Sequence, residues 1–443
     1  ENGFEVDLFD TNLLDSSTAI KPILAANKPN YLVIYDDGFN YLTKMCLTNM
    51  RDACFDMIAT AKLTDCKVIV CSSDATDHYE KYLNQGADFI IQGEGERTLL
   101  ELLQHLDQNK SVEAIAGIVY TSNDAIQVNP KRKVLEDLDS LPQPAWDLVD
   151  IEAYRAVWKQ SNQEFTLNLA TTRGCPYKCN WCAKPIYGNR YNAHSPAYIV
   201  EEIAYIKQHF GVTRFWMCDD IFGLKPNWVQ EFNTALKKNK LHIKYYIQSR
   251  VDLLLKEDTI DALAASGLEE AWVGAESGSQ KILDAMDKGT KLEEIYEATH
   301  LLQQKKIRVA LFLQFGYLTE NQEDIQKTIA MVKKILPDNI GISVSYPLPG
   351  TKFYDKVKDD MKLKANWTDS DDFEMMFQGT YNSLYYKKLQ RYVHKEFRKA
   401  QGFHELKNFS FSLDKIKKIA KLGYYVPSAF LDTLVLKKLA KNA

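Results

Sequence analysis

The chain has 443 residues, a length that suits two or three domains. Hydrophobic residues make up 45% and charged residues 26%, the balance of an ordinary soluble protein with ample core. The formal net charge is −4, so no bulk attraction to nucleic acid or to an anionic membrane is expected. No apolar run approaches the roughly 18 residues that span a bilayer, and no signal peptide is evident, so the expectation is a cytoplasmic protein without a transmembrane segment.

Gly3-Phe-Glu-Val-Asp-Leu-Phe9 reads as a strand almost at once. The chain begins at Glu1 rather than Met, so the first strand and helix of a domain are expected to be missing before it. Further strands are predicted at residues 31–35, 67–72 and 88–92, and residues 42–62 have helical spacing. Strands alternating with helices argue for a parallel, doubly wound sheet. Two β runs, 115–121 and 126–128, are split by Ser122-Asn-Asp124 and read as a hairpin. Leu141-Pro-Gln-Pro-Ala-Trp146 is a rigid, proline-rich linker. Cys46, Cys54, Cys66, Cys71 and Cys218 lack regular spacing, so free thiols in a reducing compartment are expected.

Phe165-Thr-Leu-Asn-Leu-Ala170 reads as a strand that ends just before a loop forced by Gly174 and Pro176. The loop lies in Thr171-Thr-Arg-Gly-Cys-Pro-Tyr-Lys-Cys-Asn-Trp-Cys182 and carries Cys175, Cys179 and Cys182, spaced C-x3-C-x2-C. The thiols therefore project from the C-terminal end of a strand, where α/β enzymes keep their chemistry. Three thiolates this close can hold an iron–sulfur cluster and leave one iron uncapped, because a cubane cluster has four irons and normally takes four thiolates. Zinc is the competing reading. A structural zinc takes four Cys or His ligands, but the nearest histidine is His194 and no second CxxC follows. Ordinary core cysteines are a third reading, rare at this density.

After the loop the alternation resumes. Residues 196–210 are predicted to be a helix between Ser195 as N-cap and Gly211 as stop. Strands are predicted at 214–218, 244–248, 270–274, 308–315 and 339–345, with helices between them, among them 225–238 and 256–265. With the cysteine strand these make six β/α units, a partial barrel whose strand ends gather on one rim. No G-x-G-x-x-G or Walker A sequence occurs; Gly93-Glu-Gly-Glu96 is neither.

The cysteine run, with Trp181 just before its last Cys, resembles the signature of radical S-adenosylmethionine (radical SAM) enzymes over about residues 160–350. The resemblance implies that Cys175, Cys179 and Cys182 hold a [4Fe–4S] cluster, that SAM chelates the open iron, and that reductive cleavage gives a 5′-deoxyadenosyl radical. An external donor such as flavodoxin or ferredoxin would supply the electron. Candidate SAM contacts then fall in the loop and at the predicted strand ends. Trp181 could stack on adenine, and Asp219 or Asp220 could accept from the SAM ammonium. Arg250 could pair with its carboxylate, and Glu276 suits the ribose hydroxyls. Ser249 and Gln314 are weaker rim candidates, and Pro347-Leu-Pro-Gly-Thr351 resembles a loop motif that shapes the pocket floor. Loop packing for Trp181, helix capping for the Asp pair and a rim ion pair for Arg250 compete with these roles.

A doubly wound domain, Gly93-Glu-Gly-Glu96, a hairpin, a proline-rich linker and this core together resemble the cobalamin-binding class. That class includes methyltransferases and the anaerobic magnesium-protoporphyrin monomethyl ester cyclase type. The fold expected is α/β: a Rossmann-like cobalamin-binding-type domain over 1–140, a linker over 141–160, a partial (β/α)6 barrel over 161–350 and a helical C-terminal region over 351–443. Segments 36–40, 72–76 and 93–96, each following a predicted strand, are candidate corrin contacts. The cobalt-ligating D-x-H-x-x-G pattern does not occur, and His78 reads as a surface histidine. The leading expectation is radical chemistry on an unactivated carbon, as cobalamin-dependent methyl transfer or oxidative cyclisation, with a porphyrin, lipid, peptide or small metabolite as substrate. One alternative is a methylthiotransferase, whose second cluster would need N-terminal cysteines such as Cys46, Cys54, Cys66 and Cys71. The other is a non-enzymatic zinc- or corrinoid-binding protein.

Overall fold

The computed structural model describes residues 2–36, 47–184, 186–364, 366–408 and 412–441. The chain divides into two compact units. The first comprises Glu1–Pro176, Ala183–Asp220 and Asn366–Ser370; the second comprises Tyr177–Cys182, Ile221–Ala365 and Asp371–Ala443.

In the first unit, β1 (Tyr31–Tyr35), β2 (Lys67–Cys71), β3 (Phe89–Ile91), β4 (Ile118–Ser122) and β5 (Ala125–Val128) form a sheet in that order. The first three strands pair in parallel and the last two are antiparallel. Successive side chains on a strand face opposite sides, and β2 uses both. Val68 and Val70 pack with Ile58 and Ala61 of the helix Thr48–Ala61, whereas Ile69 and Cys71 pack with Leu102 of the helix Glu96–Asp107. Helices on both faces of the parallel strands make this part of the sheet doubly wound, as predicted. The β4–β5 turn sits at Asn123 and Asp124, both with positive φ (50° and 58°), the geometry a two-residue hairpin loop requires.

One local expectation fails here. Residues 4–9 form no strand, and Val6 and Leu8 are exposed. An alternating pattern needs a ladder partner, and the described sheet has β1 as its edge. The second half of the 141–160 linker is the helix Ile151–Gln160, started by the Asp150 carboxylate accepting from the Ala153 N–H at 3.0 Å. Of the helix predicted over 42–62, residues 42–46 lie outside the described residues.

The first unit also holds the start of the expected barrel. β6 (Leu167–Leu169) leads to β7 (Thr172–Arg173), which pairs antiparallel with β8 (Asn192–Ala193). The helix Pro196–Phe210 follows, capped by Ser195 and stopped at Gly211 with φ 65°, and β9 (Arg214–Met217) pairs in parallel with β6. The second unit supplies β10 (Lys244–Ser249), β11 (Leu268–Glu276), β12 (Arg308–Phe315) and β13 (Asn339–Val344), all parallel and paired in that order. All six predicted barrel strands are therefore present, within one to two residues of expectation at most ends. β11 carries a bulge: Gly274 pairs with Phe312 and Glu276 with Leu313, which leaves Ala275 as the extra residue.

The C-terminal region is helical, with Ser383–Lys407, Leu413–Ala420 and Leu422–Lys441. Gly402 permits the first and last of these to cross closely, since a Cβ there would lie 2.7 Å from Leu422 Cδ2. Among the described residues no helix is long and apolar enough to cross a membrane.

Candidate active site

The cysteine loop starts in the first unit, and Asp219 builds its root. This carboxylate, at the end of β9, is wholly buried and accepts from the Thr171 N–H (2.7 Å), the Thr172 N–H (2.7 Å) and the Thr171 hydroxyl (2.6 Å). Burial pushes its carboxyl up, and these donors pull it back only part way, to about 7. Asp219 therefore pins the backbone just ahead of Cys175. The next residue, Arg173, reaches Glu94 (3.0 Å) and Glu96 (2.6 Å). Gly174 follows at φ 76°, where a Cβ would fall 2.5 Å from the Arg190 carbonyl oxygen, so only glycine fits. Cys175 itself is half-buried, and Asp220 is next in chain to Asp219.

The rest of the loop, Tyr177–Cys182, belongs to the second unit and is anchored by Asn180, which is 3% exposed. Its side-chain amide donates to the Ala285 carbonyl (2.7 Å) and the Asp287 carboxylate (3.2 Å), and its side-chain oxygen accepts from the Tyr317 hydroxyl (2.7 Å). Its backbone N–H donates to Met286 and its carbonyl accepts from Phe353. Phe353 lies in the helix that Thr351, the last residue of Pro347-Leu-Pro-Gly-Thr351, caps by accepting from the Tyr354 N–H. That motif thus reaches the cysteine loop through Phe353 and Asn180. The Trp181 indole N–H is buried with no hydrogen-bond partner.

Cations collect at Cys179. The Arg250 guanidinium lies 3.8 Å over the Tyr177 ring, donates to Asp252 (2.9 Å) and Thr290 (3.2 Å), and brings Nη1 to 3.9 Å from the Cys179 sulfur. At the bulged end of β11, Glu276 pairs with Lys288 at 2.8 Å, both side chains being 7% exposed. Burial alone would lower the Lys288 ammonium, but the Glu276 carboxylate and the Cys179 sulfur more than offset that and raise it above the usual lysine value. Glu276 holds a left-handed φ of 57°, rare for its residue type and a mark of a site under constraint. Gly274 leaves room for the pair, since a Cβ there would lie 2.8 Å from Lys288 Nζ.

The weaker candidates are also placed. Ser249 is buried and donates to the Phe222 carbonyl (3.3 Å); Gln314 is buried and donates to the Ser345 hydroxyl (2.9 Å). Near the end of β12, Glu320 is buried, and one of its oxygens accepts from the Gly316 N–H at 2.6 Å while the other has no partner. Burial pushes its carboxyl up to about 8. Among the described residues no three His, Cys, Asp or Glu side chains stand close enough to hold a single metal ion. In a cubane each thiolate binds a different iron, so its ligands need not converge on one point.

The edge of β1–β3 is a second polar centre. Ser73, just past β2, and Gln92, just past β3, are buried, and Ser73 Oγ and Gln92 Oε1 have no partner. Glu94 accepts from the Leu135 N–H besides holding Arg173. Gly95 is needed because a Cβ there would press to 2.6 Å on the Tyr35 ring. His78 is partly buried, 3.7 Å from Asp74, which is also paired with Arg51. Of the candidate corrin segments, residues 37–40 lie outside the described residues. Among the described residues the N-terminal cysteines belong to no group of three that could hold a metal ion. Cys54 and Cys71 sit in cores on opposite faces of the sheet, each pushed up to about 12 by burial, and Cys46 lies outside the described residues.

Residues 169–332 match the Radical SAM superfamily model. The chain carries a radical SAM domain. The match covers the β6 end, the cysteine loop and the strands through β12. The chain is 26% identical over 282 residues to an uncharacterized methyltransferase of Pyrococcus horikoshii, covering 63% of this chain and 60% of that protein. It is 27% identical over 282 residues to the anaerobic magnesium-protoporphyrin IX monomethyl ester cyclase of Rubrivivax gelatinosus, covering 62% of this chain and 50% of that one. The chain thus spans half to three-fifths of the length of these relatives. In fold it is similar to the cobalamin-dependent S-adenosylmethionine radical enzyme OxsB, solved with aqua-cobalamin bound, with a TM-score of 0.70 and 18% identity over 97% of this chain and 67% of that one. This likeness agrees with the α/β architecture predicted for both parts of the chain.

Sequence reasoning missed Asn180, Lys288 and the Glu94–Arg173–Glu96 clamp. Asn180 lies between two cysteines of the motif, a position that could have drawn attention. Lys288 lies twelve residues beyond Glu276 with no spacing signal at all.

Proposed function

We propose that this chain is a radical SAM enzyme that holds a [4Fe–4S] cluster on Cys175, Cys179 and Cys182, binds SAM beside it and cobalamin at the β1–β3 edge, and transfers a methyl group to an unactivated carbon. The observation that carries the reading is the setting of Cys179. The Arg250 guanidinium lies 3.9 Å from its sulfur, and a cation beside a sulfur suits a thiolate ligand rather than a packing thiol. When bound, a cluster of this kind supplies the electron that cleaves SAM to a 5′-deoxyadenosyl radical.

The residues at hand fit the cofactors. The unpartnered Trp181 indole N–H offers a donor and its ring a stacking face for the nucleoside. Glu276 is held by Lys288 at the β11 end, where it suits ribose hydroxyls. Arg250 is committed to Asp252, Thr290 and the Tyr177 ring, so it acts as a fixed cation that orients a carboxylate. Asp219 holds the loop root, and Asp220 remains the candidate for the SAM ammonium. Ser249 and Gln314 line neighbouring strand ends. Ser73 Oγ and Gln92 Oε1 await polar partners, which suits a corrin whose rim carries amides. The protein's task is orientation and exclusion of water.

We further propose a porphyrin-like or lipid-like substrate, a flavodoxin- or ferredoxin-type reductant and a cytoplasmic location. Oxidative cyclisation is the second reading, favoured by the similarity to the Rubrivivax gelatinosus cyclase. Cys54 and Cys71, buried in separate cores, argue against a methylthiotransferase-type second cluster.

Anaerobic reconstitution tests the proposal. Iron and sulfide are expected at about four each per chain, with 5′-deoxyadenosine on reduction and a corrinoid detected by mass spectrometry. Cys179→Ala is expected to lose both iron and SAM cleavage. A colourless protein without iron or 5′-deoxyadenosine would sink the reading, and zinc at one equivalent would point to the non-enzymatic alternative.

A further inference from the structure

The last helix, Leu422–Lys441, buries Ala429 and Leu436 and little else that is apolar. Its other large apolar side chains face outward. Tyr424, Phe430 and Leu431 are 62%, 64% and 60% exposed, and Val426, Leu434 and Val435 are exposed as well. At about 100° per residue these six positions sweep roughly half the circumference, opposite the two buried residues. The neighbouring helices also carry exposed apolar side chains. Leu413 on the preceding helix is 71% exposed, and Phe403 and Leu406 near the end of Ser383–Lys407 are exposed. A helix that is apolar on its packed side and also on its free side is unusual in a water-soluble region and marks an interaction surface.

Charge says which partner fits. Residues 412–441 contain seven lysines and two aspartates in a chain whose overall charge is −4. Asp432 is engaged by Lys395 at 2.5 Å. Lys417, Lys421, Lys437, Lys438 and Lys441 are exposed, and Lys437, Lys438 and Lys441 extend the apolar arc at the helix end. Apolar side chains interleaved with lysines are what an anionic bilayer surface takes up: the apolar groups enter the headgroup boundary and the ammonium groups meet lipid phosphates. A second copy of the same face would bring like charges together, which disfavours self-association.

We propose that Leu413–Ala420 and Leu422–Lys441 form a peripheral docking surface for membranes rich in anionic lipid. The proposal is independent of the radical chemistry and is tested without it. The full chain is sedimented with phosphatidylcholine vesicles, with and without phosphatidylglycerol. Binding is expected to be at least about tenfold tighter to the anionic vesicles and to weaken as salt rises. Phe430→Asp combined with Leu434→Asp, and separately Lys437→Glu combined with Lys438→Glu, are each expected to weaken it by about tenfold or more. All four side chains are exposed, so circular dichroism and thermal unfolding should stay unchanged. Absence of vesicle binding overturns the proposal, as does equal binding to neutral vesicles. Dimerisation in analytical ultracentrifugation that Phe430→Asp abolishes would assign the face to a second copy instead.

Discussion

The strand ends of β10 and β11 and those of β1–β3 carry polar side chains in opposite states. On the former, charge is already matched: Glu276 has Lys288, and Arg250 has Asp252, Thr290 and the Tyr177 ring. On the latter, Ser73 Oγ and Gln92 Oε1 are buried and unmatched, while the carboxylates of Glu94 and Glu96 are drawn to Arg173. A buried polar group without a partner costs stability and is tolerated where a ligand completes it. The matched ends close on themselves, whereas the unmatched ends leave polar atoms that a ligand would complete.

Breaking a matched pair should cost most. Lys288→Met leaves Glu276 buried and uncompensated, and urea denaturation should show a loss of about 3–5 kcal/mol. Adding Glu276→Gln should recover part of it; full stability in the single variant would mean the pair is not closed in solution. Next comes Asn180→Ala, which removes the side-chain bonds to Ala285, Asp287 and Tyr317 and loosens the cysteine loop. It should cost about 2–3 kcal/mol and lower iron retained after desalting.

Glu320 adds a pH dependence. Its folded carboxyl is pushed up to about 8 from an ordinary value of 4.5, so the folded state binds more protons than the unfolded state between these limits. Its contribution to stability is full below pH 4.5 and is lost as pH rises to about 8. Denaturation at pH 5 and pH 9 should show Glu320→Gln narrowing the wild-type loss by more than about 1 kcal/mol. An unchanged difference would place the titration elsewhere. The smallest effect belongs to the unmatched edge. Ser73→Ala should leave stability unchanged or raise it by up to about 1 kcal/mol while weakening corrinoid binding in an absorbance titration. A large loss of stability would show that the hydroxyl is already satisfied without ligand.

Much of the candidate site was legible because its parts are local. Cys175, Cys179 and Cys182 lie within eight residues, and Gly174 and Pro176 announce the loop around them. The strand ends at Arg250 and Glu276 followed from β runs of ordinary length. What supports those residues was not legible. Asp219 has the composition of a SAM contact or a helix cap, yet it pins the backbone of Thr171 and Thr172, forty-eight and forty-seven residues away. Arg173 finds Glu94 and Glu96 nearly eighty residues upstream. The run at residues 4–9 has strand alternation and no ladder partner, so its pattern promised an element that pairing did not provide.

By itself the sequence determined the α/β alternation, the six barrel strands, the hairpin and the cysteine motif, since each rests on residue periodicity or on neighbours a few positions apart. Only the tertiary structure decided which carboxylates hold the loop, which polar atoms stay open at the β1–β3 edge, and that Lys437, Lys438 and Lys441 share an exposed face with Phe430 and Leu431. A net charge of −4 gave no hint of that face, because charge summed over a chain contains no information on where folding gathers it.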